Sequence, residues 1–139
     1  MGPWGLLLAA GTVVLADRVT KRIAVRTLAE RRAGAGVLRL VTSRRPLFAP
    51  GTSRLALATL WVAAVACATG ALAYSPTLRA NALVSVGVVV ALAGAASNLR
   101  DLLARGSVVD FIAIGWWPVF NLADVAIVAG ASVAAVALT

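Results

Sequence analysis

The chain has 139 residues and a mass of 14.1 kDa; 61% of its residues are hydrophobic, 13% are charged, and its mean hydropathy is +0.94. A composition this apolar lies outside the range of ordinary soluble domains and predicts a membrane protein. The net charge is +8, with no histidine and one cysteine. The composition therefore excludes a histidine-containing catalytic triad, a histidine metal site and an internal disulfide, and we expect neither a metal nor another cofactor.

Four long apolar runs predict four membrane-spanning helices, because each span needs roughly 20 mostly apolar residues. The predicted spans cover about 3–22, 55–74, 80–100 and 116–138. The first run lacks the basic residues that precede the apolar part of a cleaved signal peptide, so we interpret it as a span. The sequence thus predicts an all-α membrane protein, a four-helix bundle that forms a single domain over 1–139 and is expected to be a monomer.

The third predicted span carries a row of small residues. Gly87, Ala91 and Ala95 follow one another at intervals of four and therefore lie on one face of a helix. Small side chains on one face allow a neighbouring helix to approach closely, which predicts a tight bundle.

Residues 23–54 form a predicted surface segment that is partly extended, with a short strand over 37–41. Ten of the 13 basic residues lie between Asp17 and Arg54. Such a basic stretch could bind nucleic acid, but it contains one aromatic residue and no recognisable nucleic-acid motif. We therefore expect it to lie on the membrane against anionic lipid headgroups, without a nucleic-acid partner.

Acidic side chains are informative in this chain because each one is costly at membrane depth. In an up-and-down bundle, the ends of the first and third spans lie at the same membrane face as the starts of the second and fourth, so four of the five acids converge there. Two carboxylates that meet at low dielectric can share one proton and act as an acid and a base. Pairing of these acids with arginines at the membrane surface is the alternative. The converging acids are Asp17, Asp101, Asp110 and Asp124, and the fifth acid is Glu30.

Four short motifs contain the converging acids. They are DRVTK over Asp17–Lys21, NLRD over Asn98–Asp101, GSVVDFI over Gly106–Ile112 and FNLADVAI over Phe120–Ile127. Their order and spacing resemble the type II (lipoprotein) signal peptidase family, over nearly the whole chain. The resemblance implies an aspartyl endopeptidase of the bacterial cytoplasmic membrane that cuts prolipoproteins immediately before a cysteine bearing diacylglycerol.

The resemblance also assigns roles to individual residues. The first motif closes the first helix with Asp17 and Lys21, four positions apart, where we expect a mutual salt bridge. The catalytic pair implied by the family is Asp110 and Asp124, and the implied substrate-binding or supporting residues are Asn98, Asp101, Asn121, Asp17, Lys21 and Ser43.

Two positions depart from the family pattern. Leu102 stands where the family has an arginine after the acid of the third span, and the stretch Ser43–Phe48 keeps only the phenylalanine of an Asn-x-Gly-x-x-Phe element. The alternative is therefore a non-catalytic four-span membrane protein on the same scaffold, which binds lipid or lipoprotein without cleaving it.

The sequence supports two opposite orientations of the protein in the membrane. Twelve of the 13 basic residues lie on the face of the acids and only Arg79 on the other, so the positive-inside tendency puts that face in the cytoplasm. The resemblance puts the same face outside. We predict the outer face, because a single basic loop dominates the count.

Overall fold

The structure, a computed structural model, describes residues 2–29, 38–43 and 54–139. The predicted surface segment falls largely at 30–37 and 44–53, outside the described residues, and so does most of the Ser43–Phe48 stretch. The elements in chain order are α1 (Pro3–Ala29), β1 (Leu38–Ser43), α2 (Arg54–Tyr74), α3 (Pro76–Ala80), α4 (Ala82–Arg105), β2 (Val108–Ile112) and α5 (Leu122–Val136).

The chain is mainly helical, and two of the described helices are long and apolar enough to cross a membrane. These are Leu55–Tyr74 and Ala82–Arg105. No residue of Leu55–Tyr74 is buried, and every described side chain of α2 is at least partly exposed, as expected for a helix in contact with lipid. α5 is apolar but has 15 residues, fewer than the roughly 20 of a typical span.

The centre of the bundle is α4, which packs against α1, α2 and α5. Its closest approach is to α5, where two glycines face each other. A Cβ atom added at Gly130 would lie 2.5 Å from the carbonyl oxygen of Gly87 and 2.6 Å from the backbone nitrogen of Ala91. A Cβ added at Gly94 would lie 2.6 Å from the carbonyl oxygen of Ala123. The predicted close packing at Gly87 and Ala91 is therefore confirmed.

A two-stranded antiparallel sheet corrects the all-α prediction. The strand predicted over 37–41 corresponds to β1, but the sequence predicts only a loop where β2 lies. In the register of the two strands, Val41 lies opposite Asp110 and Ser43 opposite Val108. β2 buries Val109 and Phe111 alternately, which is the pattern of a half-buried strand. The strand escapes prediction because its apolar residues continue the apolar composition of the rest of the chain.

α5 begins six residues later than the predicted fourth span. Residues 116–120 belong instead to a hairpin, in which Ile112 and Phe120 exchange backbone hydrogen bonds on either side of the turn. Gly115 adopts a positive φ of 53° in this turn, a conformation that a glycine adopts without strain. The helix then starts where the side chain of Asn121 caps it. Apolar composition does not distinguish these turn residues from a span, which explains the misplaced start.

The contact between α4 and α5 predicts that Gly130→Ala destabilises the protein. The added Cβ would meet backbone atoms of α4, which cannot move without separating the two helices. We expect a loss of about 1–3 kcal/mol, measured as a lower thermal midpoint in detergent. Gly70→Ala in α2 is the matched control, because nothing lies within 4 Å of a Cβ added there. An equal midpoint for the two variants would contradict the close packing.

Candidate active site

Asn121 connects the two strongest acidic candidates. Its Nδ2 donates to Asp110 Oδ1 at 2.7 Å, and its Oδ1 accepts from the backbone N–H of Asp124 at 3.0 Å. The backbone N–H of Asn121 in turn donates to Asp124 Oδ2 at 3.0 Å, which completes a capping box at the start of α5. Asn121 is fully buried. Asn121 thus contacts both carboxylates, that of Asp110 through its side-chain amide and that of Asp124 through its backbone N–H.

Asn98 of α4 supports the same site from the opposite side. Its Nδ2 donates to Asp124 Oδ1 at 2.7 Å, and its Oδ1 accepts from Asn121 Nδ2 at 3.1 Å. The same Oδ1 also accepts from Lys21 Nζ at 2.9 Å. Because the ammonium only donates, it requires the oxygen of the Asn98 amide to face it, and the amide nitrogen is left to face Asp124.

Lys21 lies at the centre of a buried ionic cluster. Its Nζ lies 2.8 Å from Asp17 Oδ2 and 3.0 Å from Asp101 Oδ2, while its side chain is 3% exposed. The predicted salt bridge between Asp17 and Lys21 is therefore confirmed. The second contact, with Asp101, joins α1 to α4. Arg100 lies farther from Asp101, at 3.9 Å, and is half exposed, so Lys21 is the principal cation for this acid.

Asp17 connects the cluster to α5. Its Oδ1 accepts from the backbone N–H of Ala123, in the first turn of α5, at 3.0 Å. Its Oδ2 accepts from Ser97 Oγ at 2.6 Å. A carboxylate at a helix N-terminus satisfies a free N–H group and interacts favourably with the helix dipole. Asp17 therefore contacts α1, α4 and α5 at once.

Asp110 reaches the site from the sheet. It lies in β2 with its neighbours Val109 and Phe111 buried, and it is itself half-buried. Burial raises the pKa of Asp110 above its ordinary value of 3.8; the hydrogen bond from Asn121 opposes this shift, and the negative charge of Asp124 adds to it. The carboxyl of Asp110 therefore retains a proton to higher pH than a free aspartate does.

The structure brings seven of the eight sequence-predicted site residues into one network of hydrogen bonds and ion pairs, and it places Ser43 in β1 opposite Val108. The role of each residue remains a prediction. Within the described ranges, no group of three or more acidic, cysteine or histidine side chains is arranged to hold a metal ion. The seven connected residues are Asp17, Lys21, Asn98, Asp101, Asp110, Asn121 and Asp124.

Sequence reasoning missed Ser97. This side chain is 3% exposed and contacts Asp17, 80 positions earlier in the chain. A signal was present, since Ser97 is a polar residue in an apolar span and lies four positions before Asp101, on the same helix face. Serine is common and weakly polar, however, so the sequence alone does not separate it from a lipid-facing or core position.

A family model and curated relatives show which protein family this chain is similar to. The family model described as signal peptidase (SPase) II matches residues 9–139. The lipoprotein signal peptidase of Rhodococcus jostii is 37% identical over 137 aligned positions, covering 91% of this chain and 68% of that protein. The lipoprotein signal peptidase of Syntrophomonas wolfei is 34% identical over 134 positions, covering 91% of this chain and 85% of that protein.

Two solved structures share the fold. Both are described as bacterial membrane enzymes determined by the in meso method, at 2.3 Å and 1.9 Å resolution. They superpose with TM-scores of 0.80 and 0.82, at 21% and 22% identity. Each covers 98% of this chain, which corresponds to 88% and 93% of the respective structure. This chain therefore shares its fold with both structures.

The raised pKa of Asp110 predicts that Asp110→Asn stabilises the protein at neutral pH. Ionisation of Asp110 favours the unfolded chain, because the folded-state pKa is the higher of the two. The stability of the parent falls as the pH rises past 3.8, the ordinary pKa that the unfolded chain keeps, and it reaches its lower level above the raised pKa of the folded state. The amide carries no charge and can still accept the hydrogen bond from Asn121. The thermal midpoints of variant and parent, measured in detergent, should converge at acid pH and separate in favour of the variant as the pH rises.

Asp124→Asn is the matched comparison for this measurement. The Asp124 carboxylate accepts two N–H hydrogen bonds at a helix N-terminus, so loss of its charge should lower the midpoint at neutral pH. A gap between Asp110→Asn and the parent that does not change with pH would contradict the titration of Asp110 as its cause.

Proposed function

The chain belongs to the signal peptidase II family, and on this premise we propose that it is an intramembrane aspartyl endopeptidase. Its substrates would be prolipoproteins modified with diacylglycerol. Its reaction would remove their signal peptides by cutting the bond immediately before the lipidated cysteine. The observation that carries the aspartyl mechanism is that the carboxylates of Asp110 and Asp124 both accept hydrogen bonds from the buried Asn121.

The hydrogen bonds support different roles for the two carboxylates. The carboxylate of Asp124 accepts hydrogen bonds from Asn98 Nδ2 and from the backbone N–H of Asn121 at the start of α5, and these two donors hold its oxygens in place. Asp110 accepts one hydrogen bond, from Asn121, and burial raises its pKa. We therefore assign the base to Asp124 and the acid to Asp110.

These roles give a complete hydrolysis. Asp124 takes a proton from a water molecule as the water oxygen bonds to the scissile carbonyl carbon, and Asp110 donates its proton to the carbonyl oxygen. When the tetrahedral intermediate collapses, the C–N bond breaks and the proton on Asp124 passes to the leaving amine of the cysteine. The carbonyl re-forms as the intermediate's hydroxyl returns its proton to Asp110. Each carboxyl thus ends the cycle in its starting state.

The remaining site residues would position this pair. Lys21 orients the Asn98 amide toward Asp124, and Asp101 shares the same ammonium. Asp101 thus finds a cation in Lys21, even though Leu102 occupies the arginine position of the family. The described residues offer no observation that favours the non-catalytic alternative. Ser43, in the strand that pairs with the strand of Asp110, would contribute to substrate binding.

We further propose that the protein spans the bacterial cytoplasmic membrane four times as a monomer, with the site near the outer face. α1 and α5 would supply the two spans beyond α2 and α4. The basic segment would contact anionic headgroups. A groove of about 420 Å³ between α2 and α4 supports a lipid partner, because it combines Trp61, Leu99 and Leu103 with the cation of Arg100.

The aspartyl mechanism predicts that Asp110→Asn and Asp124→Asn each abolish cleavage. Either change keeps the side-chain shape but removes the acid or the base. The double variant should be little worse than each single one, because residues that act as a unit are not additive. The measurement is cleavage of a diacylglyceryl-modified prolipoprotein by purified protein, with membrane accumulation checked by immunoblot.

Glu30→Gln is the control for this experiment, because it removes a carboxylate that sequence reasoning does not assign to the site. It should cleave at the parent rate. Retention of most of the activity by Asp124→Asn would disprove the aspartyl mechanism and favour the non-catalytic alternative.

The proposed orientation predicts that a cysteine at Ser43 reacts with an impermeant maleimide in intact cells. The background is Cys67→Ala, which removes the single natural thiol. Ser43→Cys lies at the same membrane face as the site. Arg79→Cys lies in α3, at the opposite end of α4, and should react only after lysis. The reverse pattern would place the site in the cytoplasm, as the positive-inside tendency suggests.

A further inference from the structure

Ser97 makes a short contact inside the ionic cluster. It lies on α4, directly before Asn98, and its hydroxyl donates to Asp17 Oδ2 at 2.6 Å with both side chains buried. A hydrogen bond to an ionised acceptor is shorter and about twice as strong as one between neutral groups. Its length here is that expected of a hydroxyl donating to a carboxylate.

Among its buried groups, the cluster has one more carboxylate than it has cations, and the hydroxyl helps to disperse this negative charge. Two buried carboxylates, Asp17 and Asp101, share the single ammonium of Lys21. Asp17 receives two further donors, the Ser97 hydroxyl and the backbone N–H of Ala123. Because these two donors stabilise part of the negative charge of Asp17, Lys21 is not drawn to Asp17 alone. Its ammonium can therefore also contact Asp101 and Asn98.

One of those groups is Asn98, which contacts the proposed base. Lys21 Nζ donates to Asn98 Oδ1 at 2.9 Å, and Asn98 Nδ2 donates to Asp124 Oδ1 at 2.7 Å. Asp17 reaches Asp124 by a second route, through the N–H of the adjacent Ala123. Both routes start at the carboxylate that accepts from Ser97.

We propose that Ser97 is a positioning residue for the catalytic pair and acts through Asp17. This inference rests on the proposed function. The hydroxyl shares the charge of Asp17, the ammonium of Lys21 then stays between its three partners, and Asn98 keeps its amide nitrogen against Asp124. The hydroxyl of Ser97 bonds to Asp17 rather than to Asp110 or Asp124, so its effect on the two catalytic carboxylates is on their placement.

The test is Ser97→Ala in purified protein that elutes as a single folded species, assayed on a diacylglyceryl-modified prolipoprotein. Without the hydroxyl, Asp17 draws Lys21 toward itself and away from Asn98, which displaces Asp124. We expect kcat to fall by about tenfold to a hundredfold, the range for a small misplacement of a catalytic group, with KM little changed. Ser97→Thr restores the hydroxyl and should recover kcat to within about threefold of the parent.

Ser85→Ala is the matched control. Ser85 is a second buried serine on the same helix, three turns away from the cluster, and its loss should leave kcat unchanged. In an Asp17→Asn background, Ser97→Ala should change kcat by less than about twofold, because the partner through which it acts is already altered. If that background does not yield folded protein, recovery by Ser97→Thr decides the question.

The inference is overturned if Ser97→Ala keeps the kcat of the parent, if Ser85→Ala loses as much, or if Ser97→Thr fails to recover. It is also overturned if the full loss persists beside Asp17→Asn. Failure of the proposed function gives a different result: the parent does not cleave the lipidated substrate, or Asp124→Asn still does. An active parent with an inactive Asp124→Asn and an unaffected Ser97→Ala would reject the role of Ser97 alone.

Discussion

The buried ammonium of Lys21 is the constraint on which the rest of the site depends. An unpaired charge in the interior of an apolar protein is costly, and loss of one partner of a buried pair is strongly destabilising. Lys21 avoids this cost only if Asp17, Asp101 and Asn98 reach it together. Because these partners belong to α1 and α4, the charge fixes the relative position of the two helices, and Asp17 extends the constraint to α5 through the N–H of Ala123.

Polar contacts alone do not determine how close the helices lie. Small residues at the α4–α5 contact let the two backbones approach until a single Cβ atom at Gly130 would not fit. This approach allows the short side chain of Asn98 on α4 to reach Asp124 in the first turn of α5. The hydrogen bonds of the site therefore depend on the close apolar packing of α4 against α5. A change in either the packing or the hydrogen bonds would disturb the other.

Sequence reasoning predicted the parts of this arrangement that have a local or compositional signal. The Asp17–Lys21 pair follows from a spacing of four, and close packing follows from Gly87 and Ala91. The strand of Asp110 and the start of α5 were not predicted, because apolar residues occur equally in a strand, a turn and a membrane span. The capping box of Asn121 and Asp124 was a usable local signal for the start of the helix. Ser97 could not be found in this way, since its partner lies 80 positions away and depends on the tertiary fold.

Asn121 explains how two carboxylates from different elements can be arranged before any substrate binds. Its Oδ1 caps the backbone of α5 at Asp124, and this contact fixes the orientation of the amide. Its Nδ2 must then point away from the helix, where it donates to Asp110 and to Asn98. The backbone N–H of Asp124 at the start of α5 therefore determines the orientation of the Asn121 amide. The Asn121 side chain therefore has little conformational entropy left to lose when substrate binds, and the geometry of the two carboxylates is largely preorganised. Preorganisation lowers the free-energy cost of reaching the geometry that the proposed hydrolysis requires.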